Sequence, residues 1–321
     1  MNYPLLPRAP HGGPQSAHEN ILDFSVNTNP LGPNPDLVRV WRAADPSAYP
    51  DPHYARARAA LAAYHGVDPS SVVLGVGASE LLHRIVRAFV APGDTVLSLG
   101  APFGELARAV ALQRAHIQIL DRNPPTPLPP ARLLYLSNPH NPTGHVLSPT
   151  AWPEVEVVIV DEAYAPFLSQ PVAWPLQPNV IRVQSPGKAH GLLGLRPAYA
   201  LAHPDLASHL VNLQPAWALP APLAEVLSAL PAADAFLHNT LGKVRTWAAA
   251  LAQTLGAPPP AVHFFTLTVP DAAQLANFLL RQGIRVRDCA SFGLPNQIRI
   301  ATRLPADNHT LVEILAALRY P

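Results

Sequence analysis

Lysine is nearly absent from this chain. Of the 22 Lys and Arg residues in 321, only Lys188 and Lys243 are lysine. Arginine stays protonated and makes no imine, so amine chemistry falls on very few side chains. Cysteine is limited to Cys289, which excludes an internal disulfide, and no Cys/His cluster has zinc spacing. No block of like charge exists, and a formal charge of +1 leaves no electrostatic footprint for nucleic acid or an anionic membrane. Long apolar runs are lacking as well. The N-terminal segment MNYPLLPRAPHGG has no signal-peptide core, and Arg84 and Arg87 interrupt the apolar stretch 81–90. These absences predict a cytoplasmic protein with no structural metal and with neither nucleic-acid nor membrane partners.

What is present is a chain with 49% hydrophobic residues, enough for a substantial core. Its 40 prolines fall between periodic segments, as in NPPTPLPPA (123–131), and read as rigid connections. From residue 72 onward, β-branched runs alternate with helical patterns: VVLGV, TVLSL, HIQIL, LLYLS, VEVVIV and VIRVQ, with SELLHRIVRAFV and GELARAVALQ among the intervening stretches. Near-continuous apolar strands separated by helices predict an α/β fold with a mostly parallel central sheet covered by helices. After Pro220 the pattern turns helical and then reads strand, helix, strand, strand, helix, which predicts a smaller α+β C-terminal domain. The boundaries expected are an N-terminal arm at 1–45, a large domain at 46–220, and a helical connection with the small domain at 221–321. The arm shows no strong periodicity.

Lys188 lies 27 residues after Asp161 and eight before Arg196. Asp161 ends an apolar strand run in DEAY, where its carboxylate can meet a protonated pyridine nitrogen; helix N-capping is the bland alternative. Arg196, in GLLGLRPAYA, can hold a phosphate bidentately or be a surface charge. In GVGASE, which leaves a strand and opens a helix, the amides of Ala78 and Ser79 and the Ser79 hydroxyl can cradle a phosphate. Glu80 occupies the sixth position, where a dinucleotide fingerprint needs Gly or Ala. Asn141, set between prolines in SNPHNPTG, can donate to a phenolate oxygen. Phe103, in APFGE, is either core or a ring stacked on a flat cofactor.

An imine lysine, a pyridinium partner, a phenolate donor, a stacking ring and a phosphate cup are what pyridoxal 5'-phosphate requires. The ordered set GASE, APFGE, NPHNPTG, DEAY, Lys188 and GLR resembles the fold-type-I pyridoxal-phosphate enzymes of the class I and II aminotransferase group over nearly the whole chain. That resemblance implies Tyr164 beside Asn141 at the phenolate oxygen, a homodimer with shared active sites, and Tyr49 reaching the phosphate of the partner subunit. There are two departures. Gly187 stands where the family carries Ser or Thr before the lysine, leaving Ser185 as the nearby hydroxyl, and the segment between NPTG and DEAY is short enough to reduce its helix to a turn.

Within the group the ends of the chain are similar to threonine-phosphate decarboxylases and, next, to histidinol-phosphate aminotransferases. The features are HGG at 11–13, LDFSVNTNPLGP, and IRVRDCASFGLPNQIRIA. By that resemblance His11, Gly12, Asn27, Asn141, Arg287 and Arg299 bind a phosphorylated amino-acid substrate. The activity this implies is decarboxylation of L-threonine O-3-phosphate, of the cobalamin-biosynthesis type. The alternatives are an aminotransferase acting on histidinol phosphate or another amino acid, and a non-catalytic protein that keeps the fold and binds the cofactor.

Overall fold

Five of the six apolar runs become strands that bury side chains on both faces of one sheet. A computed structural model describes residues 6–14, 21–172 and 174–318. In chain order it has β1 (Leu22–Asp23), α1 (Pro35–Ala43), α2 (Ala55–His65), β2 (Val72–Val76), α3 (Ala78–Phe89), β3 (Thr95–Leu99) and α4 (Gly104–Leu112). There follow β4 (His116–Leu120), β5 (Leu133–Ser137), β6 (Val157–Asp161), β7 (Val180–Gln184), β8 (Pro197–Ala202), α5 (Pro204–Asn212), α6 (Ala221–Ala229) and α7 (Asp234–Thr254). The chain closes with β9 (Phe264–Thr268), α8 (Ala272–Arg281), β10 (Ile284–Arg285), β11 (Arg287–Asp288), β12 (Gln297–Ala301) and α9 (Pro305–Ala317).

The large sheet has the order β2-β8-β7-β6-β5-β3-β4. Pairs from β7 through β4 are parallel, and β8 runs antiparallel to both β7 and β2. On one face Leu82, Ile85, Leu106 and Leu210 of α3, α4 and α5 pack on Val73, Leu133, Ile159 and Ile181. On the other, α2 and α6 cover Leu74 and Leu201 through Leu61, Leu223 and Leu227. Between β5 and β6 there is no helix; Trp152 and Trp174, stacked at 5.9 Å, cover Leu134 and Val158 instead.

Three details differ from the sequence reading. β8 was not marked by any apolar run, since PAYALA opens on proline and is rich in alanine. β4 is an edge strand with Ile119 exposed and is not covered on both faces. The arm contains a capped helix: the Asn34 side chain accepts from the Asp36 amide at 3.0 Å, proline fills the first turn, and Leu37 is buried.

The C-terminal strands β11-β12-β9 form an antiparallel sheet whose core includes Leu275, Leu279, Ile298, Ile300 and Leu311. IRVRD splits into two short strands: β10 pairs in parallel with β1 of the arm, and β11 pairs with β12. Arg285 on β10 reaches Asp23 on β1 at 3.2 Å. Among the described residues no helix is long and apolar enough to cross a membrane.

Candidate active site

The carboxyl ends of β2, β3, β5, β6 and β7 carry the motifs, and the reversal of β8 brings Arg196 to the same edge. Pro197, the first residue of β8, pairs with Val76, the last of β2. Had β8 run parallel, Arg196 would stand at the opposite edge of the sheet. Its guanidinium lies over Gly77, where a Cβ would come within 2.5 Å of Nη2 and would displace the guanidinium. Gly77 also has φ of 86°, a left-handed conformation.

Ala78 and Ser79 open α3 with no side chain capping it, and with Arg196 and Ser185 they form the basic, amide-lined end of a cavity. Phe103, Asn141, Asp161, Tyr164 and Lys188 line the rest. This arrangement fits a flat phosphorylated ring. Asp161 is buried at the end of β6; its carboxylate accepts from the Ala163 amide and the Tyr135 hydroxyl, each at 3.1 Å. Burial raises its carboxyl above the ordinary value, against those two hydrogen bonds and the charge of Lys188. A protonated pyridine nitrogen is the partner that would offset this desolvation. Burial, and next Asp161, pushes the Tyr135 phenol well up, so it remains a neutral donor.

Tyr135, Ser137 and Ala163 line the cavity without having been singled out in the sequence. Tyr135 sits in the apolar run LLYLS, where a phenol looks like core. Its one signal is register: Tyr135 pairs with Ile159 and Ser137 with Asp161 on the neighbouring strand.

Lys188 Nζ lies 5.1 Å from the Tyr164 ring centroid. Its main chain is clamped by the arm. The Asn29 amide and the Thr28 hydroxyl donate to the Lys188 carbonyl at 2.9 and 3.1 Å, and Asn29 Nδ2 donates to the Ala189 carbonyl at 2.9 Å. Asn141 is held similarly. The neighbouring His140 has Nε2 3.3 Å from the Ala101 carbonyl and Nδ1 2.9 Å from Thr143 Oγ1. A carbonyl only accepts, so Nε2 carries the hydrogen, and the ring ties the loop bearing Phe103 to the loop bearing Asn141.

A second cavity of about 400 Å³ shares Ser79, Phe103, Asn141, Tyr164, Lys188 and Arg196 with the first. It is lined further out by His11, Gly12, Asn27, Arg287 and Arg299. All the residues assigned to substrate therefore meet beside Lys188. Arg299 is buried and donates to Asn141 Oδ1 and to the Ser25 carbonyl. Asn27 is 4% exposed, and neither its Oδ1 nor its Nδ2 has a partner among the described residues. Leaving such groups unpaired costs about 1 to 3 kcal/mol each, which a polar ligand in the cavity would recover.

Tyr49 lines neither cavity. It is 80% exposed, and its ring lies 4.7 Å from that of Trp217.

Comparison with known proteins agrees with this geometry. Residues 19–315 match the family described as aminotransferase class I and II. Histidinol-phosphate aminotransferase 1 of Thiobacillus denitrificans is 31% identical, covering 94% of this chain and 87% of that protein. The crystal structure of histidinol-phosphate aminotransferase from Sinorhizobium meliloti, in complex with pyridoxal-5'-phosphate, superposes with a TM-score of 0.80 at 26% identity, covering 91% and 90% of the two chains. L-threonine-O-3-phosphate decarboxylase from Porphyromonas gingivalis shares the fold, with a TM-score of 0.83 at 22% identity over 93% of this chain and 99% of that one. The chain thus belongs to the class I and II aminotransferase family, among the fold-type-I pyridoxal-phosphate enzymes.

Proposed function

We propose that the protein is a pyridoxal-phosphate-dependent aminotransferase acting on a phosphate-bearing amine of the histidinol-phosphate type. One observation carries this reading: the cavity that holds Lys188 is also lined by Arg287 and Arg299, two cations suited to a phosphate, and by His11. Relatives about 30% identical over nearly the whole chain bear the histidinol-phosphate aminotransferase name, which favours transamination over the decarboxylation ranked first from the chain ends.

The chemistry supplied by the cofactor is an aldehyde that captures the substrate amine and a conjugated ring that disperses charge at the substrate Cα. The chain's own residues bind and steer. Asp161 would keep the ring nitrogen protonated, Asn141 and Tyr164 would serve the phenolate oxygen, and Phe103 would stack on the ring. Ala78, Ser79, Ser185 and Arg196 would hold the cofactor phosphate, joined by Tyr49 from a second copy in a homodimer. The Lys188 amine moves the proton at the substrate Cα. Arg287, His11, Gly12 and Asn27 receive the substrate phosphate, while Arg299, fixed by Asn141 and Ser25, receives the carboxylate of the oxo acid.

Decarboxylation of L-threonine O-3-phosphate is the second reading, supported by the convergence of His11, Gly12 and Asn27 on the cavity. It needs a substrate that carries a carboxylate, turned out of the ring plane, so substrate structure and orientation together separate the two reactions. The test is turnover of both compounds with and without 2-oxoglutarate. Transamination requires the oxo acid and yields glutamate. Carbon dioxide released from threonine phosphate without oxo acid would overturn it in favour of the lyase.

A further inference from the structure

Residues 9–13 lie across the N-terminus of α4 and over the cavity mouth. A Cβ on Gly104 would meet Ala9 Cβ at 2.7 Å, and one on Gly12 would meet the Ser25 carbonyl oxygen at 2.3 Å. The Gly13 amide donates to Ser25 Oγ at 2.9 Å, and Arg287 Nη2 donates to the Pro10 carbonyl at 3.0 Å. This segment therefore approaches the body of the protein more closely than a loose tail could. The side chain at its centre, His11, faces the ring of Phe103 with centroids 5.3 Å apart.

Glu105, two residues beyond Phe103, holds His11 from below. Its Oε1 lies 3.2 Å from His11 Nε2, and its Oε2 lies 2.9 Å from His83 Nε2 on α3. Arg108 stands 4.0 Å from the same Oε2. Burial raises the Glu105 carboxyl, but the hydrogen bonds from His83 and His11 outweigh it, and the group ends below its ordinary value. It is a carboxylate held between two imidazoles, and only one of them lines the cavity.

We propose that Glu105 is a positioning residue for substrate phosphate: braced by His83, it fixes the His11 ring against Phe103 at the cavity mouth. This rests on the reading that the cavity takes a phosphorylated substrate. Because Phe103 is the N-cap of α4 and Glu105 lies in its first turn, the helix start that presents the cofactor-stacking ring also sets the position of the phosphate ligand. Substrate phosphate and cofactor ring are thereby held in one register, and proximity of this kind is steeply distance-dependent.

The experiment compares holoenzyme variants Glu105→Ala, Glu105→Gln, His11→Ala and the Glu105→Ala/His11→Ala double, each with its bound cofactor quantified by absorbance. Glu105→Ala should raise KM for the phosphorylated substrate roughly tenfold while leaving kcat and the KM of the oxo acid within about twofold. Glu105→Gln keeps an acceptor oxygen and should recover most of the loss. The double variant should be no worse than His11→Ala, since the two side chains act through one contact. A Glu105 that merely stabilises α4 would lower thermal stability and leave KM unchanged, and that result overturns the proposal. If His11→Ala raises KM and Glu105→Ala does not, or if the two effects add, the positioning role fails and the substrate reading stands. An unchanged KM in His11→Ala itself overturns both.

Discussion

Gly187 and Pro197 are packed against each other so closely that a Cβ on the glycine would stand 3.2 Å from the proline Cδ and 3.3 Å from Cγ. The Leu192 carbonyl oxygen lies equally near at 3.2 Å, and the Leu192 amide donates back to the Gly187 carbonyl at 2.7 Å. This accounts for the glycine beside Lys188. The ring that opens β8 crowds the space a Ser or Thr side chain would enter, and Ser185 remains as the hydroxyl of this loop that lines the cofactor cavity.

Gly187→Ser should accordingly destabilise the holoenzyme by about 1 to 3 kcal/mol through overpacking. Pro197→Ala in the same chain should relieve part of that cost. Urea denaturation of the two single variants and the double gives the coupling directly; additive effects would show that the glycine and proline do not compete for space.

Among the described residues, the Tyr135 hydroxyl is one of two hydrogen-bond donors to the Asp161 carboxylate. Tyr135→Phe keeps the ring and removes that donor, with an expected loss of about 1.5 to 3 kcal/mol in stabilisation of the carboxylate. Cofactor affinity, titrated by absorbance, should fall at least several-fold. Asp161→Asn removes the charge itself and should fall further. Equal affinity in Tyr135→Phe and the parent would mean the hydroxyl does not support the charged form.

Arg287→Ala should act on KM for the phosphorylated substrate, through lost charge-assisted bonds of roughly 1.5 to 3 kcal/mol, or about ten- to a hundredfold. Its guanidinium also ties Pro10 and Ser291, so the segment over the cavity should become more accessible to protease in the same variant. Kinetics indistinguishable from the parent would remove Arg287 from the substrate site.

Acid should weaken the fold through buried histidines. Burial, followed by the charge of Arg122, lowers His140 to about 3; burial lowers His190 to about 4 against the opposing charge of Asp234. Burial, with Lys188 and Arg299, puts His263 well below its ordinary 6.5. In the unfolded chain these imidazoles protonate near 6.5, so below that pH the unfolded state binds more protons. Their contribution to stability is complete above 6.5 and is lost as pH falls toward 4, at up to about 1.4 kcal/mol per pH unit for each group. Urea midpoints at pH 7.5, 6.0 and 5.0 measure the slope. His190→Gln should flatten it; an unchanged slope would mean His190 is not held neutral.

Much of the site was legible before the structure because its chemistry needs particular residue types at strand ends. Asp161, Asn141, Ser79 and Lys188 each follow an apolar run that is buried on both faces and therefore visible without periodicity. Residues that work through others left no such trace. Tyr135 reads as core, Asn29 as a turn residue and Glu105 as a helix-initiating acid, because hydrogen bonds to Asp161, to Ala189 and to His11 have no local pattern. The α1 helix was hidden for a different reason, since an Asn-Pro start within a proline-rich stretch looks like a turn until Leu37 finds its core.

By itself the sequence determined the α/β order of elements and the inventory of groups for pyridoxal phosphate, since backbone propensity, apolar patterning and residue chemistry are local properties. Convergence was decided by the tertiary structure alone. The antiparallel run of β8, imposed by pairing with β2 and β7 on a proline- and alanine-rich segment, brings Arg196 over Gly77 and sets Pro197 against Gly187. Contacts from Asn29 and Thr28 to the loop of Lys188, and from Glu105 to His11, join segments far apart in the chain. Their energy comes from burial and hydrogen bonding in the assembled fold, which no single segment carries.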